Sequence, residues 1–136
     1  MAEPVRASRW LVIGASIVLV ATAALHAAGY RSVSSAILAS GLNPSLVAPL
    51  RALWLMFSAH LVILTIVIIL AGRVPGGRRI LLACALIPAA DTALLLRFVG
   101  LFVGTFALAA ATVLLVLAGL LGTRPETSTG GVQGRG

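Results

Sequence analysis

Long apolar runs, interrupted by short polar or glycine- and proline-bearing stretches, set the pattern of this chain. A helix that crosses a bilayer needs about 20 mostly apolar residues. Four stretches meet that length: 10–29, 50–71, 79–96 and 101–122. The last two nearly fuse into one run from Ile80 to Leu121, too long for a single crossing. A turn must divide it, and Arg97 and Gly100 supply the charge and the helix-breaking residue nearest its midpoint. The pattern predicts an all-α, integral membrane four-helix bundle in residues 1–122. Residues 123–136 are rich in Gly, Thr and Ser with almost no apolar content, and read as a disordered tail.

The connection over 31–49 is long for a hairpin yet carries Ile37, Leu38, Leu42, Leu46 and Val47. Ser34 or Ser35 could cap a short helix there, ended by Gly41. Asn43 followed by Pro44 reads as the N-cap and first position of the next helix. Pro49 is expected to break or kink the chain before the second span proper. The segment reads as a short helix folded over the mouth of the bundle, or equally as a plain hydrophobic connector.

Composition strengthens the membrane reading and narrows the rest. Hydrophobic residues make up 60% and charged residues 10% of the 136 residues, and the mean hydropathy is +1.14. Soluble domains run near roughly 45–50% apolar and 25% charged, so this chain could not cover a core with polar surface in water. A soluble enzyme and a disordered chain are excluded, and a lone Cys84 excludes a disulfide scaffold.

The net charge is +7, from ten arginines and three acids, with no lysine. That choice of Arg points to a GC-rich bacterial genome. The arginines fall at the ends of apolar runs without interleaved aromatic residues to stack bases, so nucleic acid is not an expected partner. Arg6, Arg9, Arg73, Arg78, Arg79, Arg124 and Arg135 fall on one side of the bundle, and Arg31, Arg51 and Arg97 on the other. The positive-inside rule then puts both termini and the 74–78 loop in the cytoplasm, in a multi-pass protein of a bacterial inner membrane. Arg6 and Arg9 ahead of an apolar run with the small residues Ala21, Thr22 and Ala23 also resemble a signal peptide. Apolar character continues through Leu25, Ala27 and Ala28, so a retained first span is expected.

Ionisable groups inside spans are expensive and face a bundle interior or a cavity. Three stand here: His26, His60 and Asp91. At 1.5 Å per residue, His26 lies about 6 Å inside the outer end of its span, Asp91 about 9 Å, and His60 about 14 Å when counted from Arg51. Depth therefore pairs Asp91 with His26, with Arg51 able to snorkel down toward them. Tyr30, Arg31, Arg51 and Trp54 gather near the same end, either as an aromatic and basic belt or as an anion or lipid-headgroup site. The expected ligand-binding set is Asp91, His26, Arg51, Trp54 and Tyr30. A bundle haem held by His26 and His60, or a quinone there, is the alternative, weakened by a depth difference of about 8 Å. Zinc is a poor candidate, because Cys84 lies on the inner half of its span and does not converge with the histidines. No Ser/His/acid set, phosphate-cradling loop, HExxH or CxxC occurs, so no catalytic activity is expected. Gly100, Gly104, Thr105, Ala109, Thr112 and Gly119 form a small-residue stripe for helix packing, within the bundle or in a homodimer.

The four short spans, the sequence Ile87-Pro88-Ala89-Ala90-Asp91 and the Gly100–Gly104 turn region resemble the small DoxX-like bacterial inner-membrane proteins. The resemblance implies a single four-helix bundle, and for some members a role as membrane partner of redox enzymes that deliver electrons to quinones. The expected role is an accessory or small-ligand-binding membrane protein with an outward-facing polar pocket. A haem- or quinone-linked redox partner and a structural membrane dimer are the other two readings.

Overall fold

The structure, a computed structural model, describes residues 3–122, with side chains from Ala7 onward. The expected disordered tail at 123–136 lies outside the described residues. Five helices are present: α1 (Glu3–Ala28), α2 (Tyr30–Ala39), α3 (Pro44–Ala71), α4 (Arg78–Phe98) and α5 (Val103–Leu121). All but α2 are long and apolar enough to cross a membrane, and no strand occurs among the described residues.

These helices are apolar on both faces. On α1, Val12, Ala15, Leu19 and Ala23 recur at helical spacing and are buried, while Ile13, Ile17 and Val20 point outward and are exposed. On α4, buried Leu81, Cys84 and Ala85 stand back to back with Leu86, which is 70% exposed. A helix in a water-soluble bundle carries polar residues on that outer face. Here the outer face is hydrocarbon, the surface that an apolar surrounding accepts.

The packing is uneven. α5 lies closely along both α1 and α4, and α1 along α3, whereas α3 and α4 touch at few positions. The four long helices thus form a horseshoe in the order α3, α1, α5, α4, with its gap between α3 and α4. Leu19, Leu61, Ile68, Pro88, Leu108 and Leu115 fill the interior with no exposed side-chain surface. Gly119 of α5 meets Leu82 of α4 so tightly that an added Cβ would fall 2.7 Å from its side chain. Ser8 adds a hydrogen bond from α1 to α5, donating from Oγ to the Ala118 carbonyl at 2.9 Å. The beginning of α1, the 72–77 turn and the end of α5 meet at one end of the bundle, the terminal end. α2 and the connections at 40–43 and 99–102 lie at the far end.

Local chemistry explains most boundaries. Asn43 caps α3, its Oδ1 accepting from the Ser45 N–H at 3.0 Å, with Pro44 at the first helical position. The 28 residues of α3 run unbroken through Pro49, against the expected break. Standing in the second turn, Pro49 deprives the helix of one backbone bond only, which the remaining ladder tolerates. The short helix α2 is present, but neither Ser34 nor Ser35 caps it. It begins directly after Gly29, with the Val33 N–H donating to the Gly29 carbonyl at 3.1 Å. Ser34 is instead buried within α2, and Ser35 donates to the Arg31 carbonyl.

The turn expected at 97–100 is found, with Gly100 at φ +91°. Gly100 therefore belongs to the turn and not to a packing face. Gly104 faces the ring of Phe102, Thr105 donates to the Gly100 carbonyl, and Thr112 donates to the Leu108 carbonyl of its own helix. Of the small-residue stripe, Gly119 is the glycine set tightly against another helix.

Candidate functional site

The sparse seam between α3 and α4 leaves room at the far end for a cavity of about 670 Å³. All five helices contribute to its lining, which includes Leu25, His26, Trp54, Phe57, Leu95 and Phe102, with Ile37 of α2 and Ala107 of α5. The wall is apolar and aromatic apart from Thr22 and His26, which corrects the expectation of a polar pocket. Thr22 donates its hydroxyl to the Val18 carbonyl, so the His26 imidazole is the principal polar group at the surface of the cavity.

His26 and Trp54 clasp α1 to α3. Their rings stack with centroids 3.8 Å apart and planes inclined at 16°. The Trp54 Nε1–H donates to the His26 carbonyl at 2.8 Å, and His26 Nε2 lies 3.1 Å from the Trp54 carbonyl. A carbonyl only accepts, so this bond requires hydrogen on Nε2 and leaves Nδ1 with a lone pair in the neutral ring. Gly29 borders the clasp, where an added Cβ would stand 3.4 Å from the Trp54 ring, at the near limit of ordinary contact.

Phe57 links this clasp to a second polar pair. Its ring lies 4.7 Å from that of His26 and meets His60 edge-on at 5.0 Å. His60 Nε2 is 3.1 Å from Asp91 Oδ2. On α3, His60 is about one turn deeper than the lining residue Phe57; on α4, Asp91 is about one turn deeper than the lining residue Leu95. The His60–Asp91 pair therefore lies about one turn below the cavity lining and joins α3 to α4 across their sparse seam.

The partner expected for Asp91 was His26, and the structure corrects this to His60. Depth counted from Arg51 misplaces His60, because α3 starts at Pro44 and Arg51 stands inside it, not at the outer end of the span. Arg51 does not reach Asp91 either: its guanidinium lies over the Tyr30 ring at 5.8 Å, with Nε buried and without a partner. The five expected ligand residues thus divide into His26 with Trp54 on the cavity, Tyr30 with Arg51 beside it, and Asp91 below. Phe57, Leu95 and Phe102 were missed as lining residues. Phe57 stands one turn from Trp54, a spacing visible in the sequence.

A haem held by His26 and His60 does not fit this arrangement. Axial imidazoles approach one iron from opposite faces, whereas here Phe57 stands between the two rings and each Nε2 is engaged by another group. Cys84 is buried and distant in register from both histidines, and no group of three His, Cys, Asp or Glu able to hold a metal occurs among the described residues. Compared with protein-family models, curated proteins and solved structures, the chain matches none.

Proposed function

We propose that the protein is a non-enzymatic, multi-pass protein of a bacterial inner membrane, with both termini cytoplasmic, that binds a lipophilic small molecule in its far-end cavity. The observation that carries this reading is the aromatic cavity with His26 in its wall. Trp54 and Phe57 supply aromatic surface, Leu25 and Leu95 supply apolar contact, and the His26 tautomer leaves an acceptor at Nδ1. The matching ligand is a ring compound with an apolar body and one hydroxyl or N–H donor. Hydroquinones belong to this class, which keeps a quinone-linked redox partner as the second reading.

Fluorescence provides the test. Trp10 lies near the terminal end and is 66% exposed, so Trp10→Phe leaves Trp54 as the sole indole reporter. Titration of this variant with a short-chain hydroquinone should quench saturably. His26→Leu should weaken binding about tenfold through loss of one hydrogen bond and the imidazole stack. Linear, unsaturable quenching that is equal in both proteins would overturn the reading.

A further inference from the structure

The terminal end holds a second cavity, of about 560 Å³. Arg9 of α1, Arg73 of the turn and Arg78 at the start of α4 all line it, although they come from three separate parts of the chain. The one carboxylate whose side chain is described, Asp91, is engaged with His60 far from this place. No carboxylate among the described side chains therefore lines this cavity beside the three arginines.

The backbone adds to the positive field. α4 begins on the cavity with Gly77 as N-cap, no side-chain capping bond and no acid in its first turn. The N–H groups of Arg78, Arg79 and Ile80 precede the first helical bond, made by Leu81 to the Gly77 carbonyl at 2.9 Å. The turn that carries Arg73 is held in shape. The Arg73 N–H donates to the Leu70 carbonyl at 3.0 Å and the Gly77 N–H to the Val74 carbonyl at 3.1 Å. Gly77 passes so close to the Ala71 carbonyl oxygen that a Cβ there would overlap it.

Apart from Ser8, whose hydroxyl is given to the Ala118 carbonyl, and the backbone of the 72–77 turn, the other lining side chains are apolar. Val12, Ile13, Ile69 and Leu81 flank the arginines, a combination suited to an amphiphile and not to a free ion. We infer that this cavity binds the phosphate of an anionic phospholipid headgroup, with Arg9, Arg73 and Arg78 supplying the charge and the apolar walls receiving the start of the acyl chains. An excess of arginine at one end serves orientation wherever the residues fall. Convergence of three on one concavity is a further property, and Arg79, next to Arg78, does not share it.

That contrast makes the test. The full chain is placed in phosphatidylcholine bilayer discs containing a minority of phosphatidylglycerol, and retained lipid is counted by native mass spectrometry. Single substitutions avoid disturbing orientation. Arg78→Gln and Arg73→Gln should each lower retention of phosphatidylglycerol about fivefold, while Arg79→Gln, with the same loss of charge, should leave it unchanged. Unfolding midpoints in discs of phosphatidylcholine alone should be equal for all four proteins, which separates lipid loss from misfolding. Equal losses in Arg79→Gln and Arg78→Gln would overturn the inference in favour of a diffuse charge effect. Displacement of the lipid by millimolar inorganic phosphate would overturn its lipid part, identifying a free-anion site instead.

Discussion

The two ends of the bundle carry cavities of similar size, about 560 and 670 Å³, and opposite chemistry. At the terminal end three arginines and a helix start face the space; at the far end four rings and several aliphatic side chains do. Helices that pack only along part of their length leave room wherever connections enter, so the existence of the cavities follows from the horseshoe. Their character follows from which residues the connections bring. A tight glycine turn brings backbone and arginines, whereas the α1–α3 clasp brings stacked rings. Substitutions that remove one of these devices should alter its own end and spare the other.

The largest effect is expected from Gly77→Ala. Its Cβ would overlap the Ala71 backbone, and relief requires the turn to move, at a loss of about 4 kcal/mol. Thermal unfolding in detergent checks this, and phosphatidylglycerol retention should fall with it while hydroquinone binding persists in the folded fraction. Trp54→Ala should come next, at about 3 kcal/mol for an excised, half-buried ring and its hydrogen bond. It should abolish ligand binding at the far end and leave lipid retention unchanged.

His60→Leu tests the polar pair between the ends. It strands Asp91 in an apolar seam and should destabilise by about 2–3 kcal/mol. The double change His60→Leu with Asp91→Leu should recover much of that loss, because a desolvated pair is worth little more than an apolar contact. The smallest effects are near 1 kcal/mol and of opposite sign. Asn43→Ala removes the α3 cap and should lower stability by about 1 kcal/mol. Ser58→Ala removes a buried hydroxyl that has no partner and should raise stability by up to about 1 kcal/mol.

The sequence made the long elements plain because span length and turn chemistry are local. Four apolar runs, the 97–100 turn and the Asn43–Pro44 start all read directly from the order of residues. The site was legible only in part, because pairing across helices depends on which helices are neighbours and from which point depth is counted. His60 is eleven residues from the end of α3 and Asp91 is thirteen from the start of α4, about 17 and 20 Å from their shared turn. Reckoned from that turn the two match, whereas reckoned from Arg51 they do not. The antiparallel hairpin was the better ruler, and the short 72–77 connection was the signal for it. The aromatic cavity left a weaker trace, since Leu95 on α4 and Phe102 in the 99–102 connection join it only through the packing of separate elements.

The gap in the horseshoe has a mechanical meaning. A closed ring of helices resists deformation equally on all sides, but this bundle is stiff along its arc of α3, α1, α5 and α4 and compliant across the α3–α4 opening, where one hydrogen-bonded pair is the main polar tie. Strain imposed by a bilayer that thins or thickens is relieved first where the fewest contacts must slide. A bilayer around these four apolar helices would therefore act on the molecule first at that one flank, as a wedge acts on a slit.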